Sequence, residues 1–330
     1  MRLSTPRALV ASLGFAFALA AQPAAAQFAC GTIYSSGGGS AAATSNEINS
    51  VSGGAFSANL TTLSFATAAI AIDSSRRLWY AEYLGGGGAA RLAYYDSTSN
   101  THTITGATFP GGASTVLRMA VDAGGTAYAI DNSNNLYSFA VGPAPAISSL
   151  GAVSFTAASP SGTTSSGDFA FDLSGNGWAI FGNSLYTLNP GTRQATPIGR
   201  LKIGGVALAT SPTVVGGLAF DGTNTMHVSV LNTSTGQGTV YSVDLATLEL
   251  TAVATVAKAV SDLGTCTIPP TITPPRVDVV LAAGAVTAVS STVFDVPYTA
   301  IVRSQGSVPA PNVQVNDYLP GTFSSGSPPP

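Results

Sequence analysis

Only two histidines, His102 and His227, occur in the 330 residues, so any imidazole chemistry has to come from one of them. His227 lies in LAFDGTNTMHVSV (residues 218–230), six residues after Asp221. A histidine that close to a carboxylate has the makings of a general base or a metal ligand. Two isolated histidines cannot supply a three-histidine metal site, and no HxxxH or HExxH spacing occurs. His102, in NTHTITG, reads as a solvent-facing residue of a polar turn or strand. Nucleophile elbows (GxSxG), phosphate loops (GxxxxGK[ST]) and dinucleotide turns (GxGxxG) are absent. The glycine runs at 37–40 and 85–88 lack the following helix that would aim amides at a phosphate, and read as loop tips.

Carboxylates are the other candidates. Asp73, Asp122, Asp172 and Asp221 follow one another at intervals of 49, 50 and 49 residues. A ring of four carboxylates could bind a cation, but aspartate also caps turns by accepting its own following amides, and that reading needs no ligand. DNSNN (131–135) and DLSGN (172–176) alternate oxygens as a calcium loop does. Neither is closed by the glutamate such a loop requires, and the chain holds three Glu in all. No metal or cofactor is therefore expected.

The elements that must carry these residues form a repeat. Each aspartate ends an apolar-Ala-apolar-Asp segment: Ile70–Asp73, Met119–Asp122, Phe169–Asp172 and Leu218–Asp221. A short turn follows, then a strand with a ring six residues past the aspartate: Trp79, Tyr128, Trp178 and His227. His227 thus stands in a slot used elsewhere by Trp and Tyr, which reads as a planar side chain packing between strands or blades. Third strands follow at 92–95, 136–139, 185–188 and 240–243, and a fourth apolar stretch such as Ala195–Ile198 ends each unit. Four short strands per 40–50 residues mark an all-β chain and the blades of a β-propeller, with a β-sandwich or β-solenoid as competitors.

The ends fit a closed ring. Ile33–Ser36 reads as an orphan third strand and Val260–Asp262 as an orphan first strand, together one shared blade. Five blades result, or six if Phe56–Phe65 hides further strands. Cys30 and Cys266, the only cysteines, flank these two strands, and a disulfide between them would lock the ring. Cross-linking so long a loop stabilises by about 4–5 kcal/mol in the chain-entropy model. A metal role for them is weak, because neither has a second Cys or His nearby.

Composition agrees with a β-rich, exported chain. Charged residues make up 8%, against roughly 25% in ordinary soluble domains, with 37 Gly and 20 Pro. The net charge is −3 without a basic cluster, which excludes a nucleic-acid footprint. Arg2 and Arg7, the apolar run Ala8–Ala21 and small Ala24 and Ala26 make residues 1–26 a secretory signal peptide. No later run reaches 18 apolar residues, so no membrane span is expected in the mature chain.

The four segments expected are thus a signal peptide (1–26), a repeat domain (27–267), a Pro-rich linker (268–275, within TIPPTITPPR) and a tail (276–330). Within the tail, Phe294–Val302 and Asn312–Tyr318 alternate as strands. VDVVLAAG, VPYTAIVRSQGSVPAPNVQV and NDYLP together resemble the opening half of an immunoglobulin-like repeat domain of bacterial surface proteins, a family known only as a domain of unknown function, number eleven in its series. The resemblance covers about 50 residues. It implies a partial β-sandwich, completed by a longer protein or another chain or left partly disordered. The repeat region also resembles the secreted N-terminal domains often joined to that module, which implies no catalytic residues.

The expected function is accordingly a secreted or surface-displayed monomer that binds an extracellular protein or glycan and is not an enzyme. An exported propeller hydrolase or lyase working through channel carboxylates is the alternative from a different class. The apolar and alanine residues before each aspartate speak against it. A structural envelope component is the third reading.

Overall fold

A computed structural model describes residues 28–37, 45–157, 166–256, 259–266, 276–291 and 294–305. The expected signal peptide, the Pro-rich linker and the strand Asn312–Tyr318 lie outside the described residues.

The repeat builds a five-bladed β-propeller. Blade 1 runs Ile70–Ile72, Arg77–Ala81, Arg91–Asp96 and Thr101–Thr108; blade 2 runs Val116–Val121, Thr126–Asp131, Asn135–Ala140 and Ser148–Ala152. Blade 3 runs Phe169–Phe171, Gly177–Phe181, Ser184–Asn189 and Gln194–Arg200; blade 4 runs Thr213–Phe220, Met226–Asn232, Gln237–Asp244 and Glu249–Val256. All four strands of each blade pair antiparallel in sequence order, first strand innermost. The innermost strands touch in a closed circuit that passes through Val260–Gly264. Closure leaves no unpaired sheet edge around the axis.

Val260–Gly264 is the inner strand of the fifth, closing blade. Its partner is Ile33–Gly37, with Tyr34 opposite Gly264 and Ser36 opposite Asp262. Ile33–Gly37 is therefore the second strand of this blade, not the third: the N-terminal segment supplies four strands, Ile33–Gly37, Ser45–Ser52, the short Ala55–Phe56 and Thr61–Thr67. Phe56 and Phe65 belong to this same sheet, so Phe56–Phe65 adds no sixth blade. The disulfide Cys30–Cys266 joins the two chain ends at a Cα–Cα distance of 4.6 Å.

The repeated tetrapeptide has a packing reason. Ala71, Ala120, Ala170 and Ala219 pair across the strand with Trp79, Tyr128, Trp178 and His227. Cross-strand partners share one face of a sheet, so each small residue makes room for its ring. Three rings then pack on the next blade: Trp79 on Phe139 at 5.6 Å, Tyr128 on Phe171 at 5.8 Å, and Trp178 on Phe220 at 6.2 Å between centroids.

In the tail, Arg276–Ala283 pairs antiparallel with Tyr298–Gln305 from Arg276↔Gln305 to Ala283↔Tyr298. Thr287–Ala288 pairs with Phe294–Asp295. The single strand expected over Phe294–Val302 is thus two, interrupted at Val296–Pro297, where proline cannot donate to a ladder. Val280, Ile301 and Val302 are exposed on this ribbon.

Candidate functional site

The aspartate turns come first. In all four repeats the carboxylate Oδ1 accepts the amide four residues on: Arg77 to Asp73 (3.0 Å), Thr126 to Asp122 (2.8 Å), Asn176 to Asp172 (2.8 Å) and Thr225 to Asp221 (3.0 Å). The second oxygen reaches the ring six residues on. Trp79 Nε1 donates to Asp73 Oδ2 at 2.8 Å and Trp178 Nε1 to Asp172 Oδ2 at 3.1 Å. His227 Nε2 lies 2.9 Å from Asp221 Oδ2, in the place of the indole N–H. The slot is therefore more than a packing position: in three blades it closes an Asp–ring latch. Tyr128 keeps the position, and burial followed by the Asp122 charge raises its hydroxyl pKa.

Burial pushes Asp172 and Asp221 up, but the hydrogen bonds they accept outweigh it and hold both below the usual carboxylate range. The smaller imidazole borders a cleft of about 250 Å³ between blade 4 and the closing blade, lined by Gly31, Thr32, Val51, Gly53 and Asp221. His227 Nδ1 is buried and has no hydrogen-bond partner among the described residues.

The same D-x-S-x-N-x-ring pattern recurs one strand later in blade 2. Asp131 accepts the amides of Ser133 and Asn135, the side chain of Asn135, and the Tyr137 hydroxyl, each at 2.8–2.9 Å. Asp172 likewise accepts Ser174, Asn176 and Trp178. Both loops singled out for calcium are filled by N–H and O–H donors, whose polarity is the reverse of what a cation needs. Among the described residues no group of three or more His, Cys, Asp and Glu is placed to hold a metal. His102 is exposed on blade 1, yet its ring lies 4.7 Å from that of Tyr95 and its Nε2 is 3.3 Å from Thr61 Oγ1. The partial burial of its ring against Tyr95 lowers its pKa.

The axis holds what the sequence reasoning missed. The residue before each repeated tetrapeptide is Ala69, Arg118, Asp168 or Gly217, and the equivalent on the closing blade is Asp262. Arg118, Asp168 and Asp262 are completely buried. Asp168 accepts the amides of Met119 (3.4 Å), Phe169 (2.6 Å) and Leu218 (2.7 Å). Asp262 accepts those of Ile70 and, at 2.9 Å, Leu263. These are the first tetrapeptide residues of the four repeats and their counterpart on the closing strand. One amide from every blade thus converges on two carboxyl groups.

The two carboxyls lie close enough to influence one another's ionisation. Burial raises both pKa values, Asp168 to about 7, and the charge of Asp168 raises Asp262 further. A buried pair of this kind keeps one proton between its members. Arg118 donates to the carbonyls of Ile180 (3.0 Å) and Ser166 (2.5 Å) and lies 4.5 Å from the centre of the Phe181 ring. Burial lowers its pKa to about 10, opposed by the charges of Asp168, Asp131 and Asp262.

Gly217 completes the layer: a Cβ there would lie 2.3 Å from the Leu263 nitrogen, so the neighbouring strand leaves room for nothing larger. The tetrapeptide residues before each aspartate are apolar or alanine, but one position earlier the inner strands carry the three ionisable residues Arg118, Asp168 and Asp262, which the expectation against channel carboxylates did not take in. Among the described residues they are sealed from solvent. The axial cavity is about 20 Å³, lined by Ala71, Ala120, Ala170, Ala219 and Gly264 with their apolar neighbours.

No family model and no curated protein matches the chain. Solved structures with similar folds include the extracellular domain of a one-component system from B. thetaiotaomicron (16% identity, 63% of this chain and 25% of that one, TM-score 0.34). Others are the periplasmic gluconolactonase PpgL of Pseudomonas aeruginosa (16%, 69% and 69%, TM-score 0.38) and the Malassezia sympodialis allergen Mala s 1 (11%, 76% and 79%, TM-score 0.41). The chain spans a quarter of the length of the first of these. At such scores the matches carry no argument about activity or ligand.

Proposed function

We propose that this chain is a secreted or surface-displayed binding protein, in which a rigid propeller presents its rim and loops to an extracellular ligand and a partial Ig-like module follows. The observation that carries the reading is the state of the axial carboxyls. Asp168 and Asp262 are sealed from solvent and spent on backbone amides, so they fasten blades together and leave neither axial carboxyl free to meet a substrate. The disulfide supports an oxidising destination, and the sequence supports export through residues 1–26. No helix among the described residues is long and apolar enough to cross a membrane.

Expression of the full chain followed by fractionation and thiol titration tests the reading. Export with both cysteines oxidised is expected; retention inside the cell with two free thiols would sink it. The buried acid pair also gives the hydrolase alternative a concrete form. Turnover of a lactone or ester by the wild type that disappears in both Asp168→Asn and Asp262→Asn, with folding intact, would replace the binding reading.

A further inference from the structure

Blade 3 carries a surface that its sister blades do not. On a pleated sheet, residues two apart point the same way. Asn176 and Trp178, Thr187 and Asn189, and Gln194 and Thr196 therefore form a grid on one face. Trp178 is opposite Thr187, Thr187 opposite Thr196, and Asn189 opposite Gln194. These six line a groove of about 510 Å³ in which no lining residue is charged. Trp178 is half-buried, whereas Trp79 in the same slot of blade 1 is wholly buried. Asp172 fixes both the Trp178 indole and the Asn176 amide from beneath. Arg193 is turned away, donating to the Leu150 carbonyl of blade 2.

The equivalent grid differs in every other repeat. Blade 1 fills it with Trp79, Tyr94 and Thr103 beside an Arg77–Asp96 ion pair at 3.2 Å, with Arg77 5.2 Å from the centre of the Tyr94 ring. Blade 2 has Tyr128, Ser138 and Ser148, with Thr126 opposite Ala140. Blade 4 has His227, Ser242 and Thr251 beside two acids, Asp244 and Glu249. Asn189 caps its turn by accepting the Thr192 amide at 3.1 Å, a role that Asp96 and Asp244 fill in blades 1 and 4, and Asn176 donates to Asp172. The turn needs only the acceptor at 189, so the amide nitrogen there and the whole of Gln194 are left to face the groove. Asn and Gln each offer a donor and an acceptor on one planar group, which matches adjacent hydroxyls. A fixed indole offers an apolar face to a sugar ring, and the lack of charge disfavours an ionic ligand.

From this grid we infer that the blade 3 groove is a binding site for a neutral oligosaccharide, with Trp178 as stacking platform and Asn176, Asn189 and Gln194 as hydroxyl readers. The inference rests on the binding reading above and gives it a site and a ligand class.

Titration of the full chain with maltohexaose, cellohexaose, xylohexaose and chitohexaose, with hexagalacturonate as the charged control, tests it by calorimetry and tryptophan emission. The chain has two tryptophans and Trp79 is sealed, so an emission change reports Trp178. At least one neutral hexasaccharide is expected to bind and shift the emission. The double variant Asn189→Ala/Gln194→Ala, altered only at exposed side chains, is expected to bind it at least tenfold more weakly, as is Trp178→Ala if it folds. Binding of hexagalacturonate alone, no emission change with any neutral probe, or affinity within twofold in the double variant would each overturn the assignment. None of those results touches export or cysteine oxidation, on which the parent reading stands or falls.

Discussion

His227 and Asp221 look like half of a catalytic triad when seen alone, yet their spacing is that of Asp73 with Trp79 and Asp172 with Trp178. What the three pairs share is a ring N–H aimed at Oδ2, while the turn amides occupy Oδ1. The role at 227 is therefore that of a donor, and the donor is what a substitution should test. His227→Phe keeps a planar ring but leaves Asp221 without it, which should lower stability by roughly 1 kcal/mol, since a half-buried acceptor loses its partner. His227→Trp restores the indole of the sister blades and should cost less. Thermal melts of the two variants beside wild type decide the matter, and equal losses would mean that ring volume governs the position. The latch itself could have been read from the sequence, because an aspartate followed six residues later by Trp, Trp or His is a local pattern. That pattern recurs as Asp131 with Tyr137, outside the repeat register, and was masked there by its likeness to a calcium loop.

At the scale of the strand, the position before each tetrapeptide decides how the blades meet, and it has no shared residue type to betray it. Ala69, Arg118, Asp168, Gly217 and Asp262 span four residue types and share only their place at the axis, the aspartate recurring in just two of the five blades. Their significance is visible only once the inner strands are in register, which local pattern cannot supply. The closing blade itself was legible from its two orphan strands and their flanking cysteines, but the rank of Ile33–Gly37 within it was not, because its inner partner lies more than 200 residues away. The four full blades were legible because their strands, turns and small-large cross-strand pairs are all local.

The acid pair gives these inner strands a pH dependence with a definite sign. Both folded pKa values lie above the unfolded value of about 3.9. The folded state therefore holds a proton that the unfolded chain releases. The stability this contributes is fully present below about pH 4 and is lost as pH rises through the folded value, about 7 for Asp168. The melting temperature should fall as pH is raised from 5 to 9, and Asp262→Asn, which cannot ionise, should flatten that slope even if it lowers the curve. A wild-type slope retained by the variant would show that other groups set it.

For the molecule as a whole, the ring is as strong as its closure. Cys266 stands where the four repeats have their aspartate, so the fifth copy exchanges a turn-capping carboxylate for a covalent bond to Cys30. The cross-link spans 236 residues and should contribute about 5 kcal/mol by restricting the unfolded chain. Cys30→Ser is expected to lower the melting temperature markedly under oxidising conditions and to be indistinguishable from wild type in excess reductant. Coincident melts in both conditions would refute the closure model.

The same topology sets an order of events during synthesis. Ile33–Gly37 emerges early, but its inner partner, Val260–Gly264, follows more than 200 residues later, an interval on the order of ten to forty seconds at ordinary elongation rates. Throughout it the N-terminal sheet waits with one ladder unmade. A ribosome that stalls within blade 3 or 4 therefore releases a chain with an adhesive edge at its beginning, so aggregation of truncated products should track the missing last strand rather than the number of finished blades.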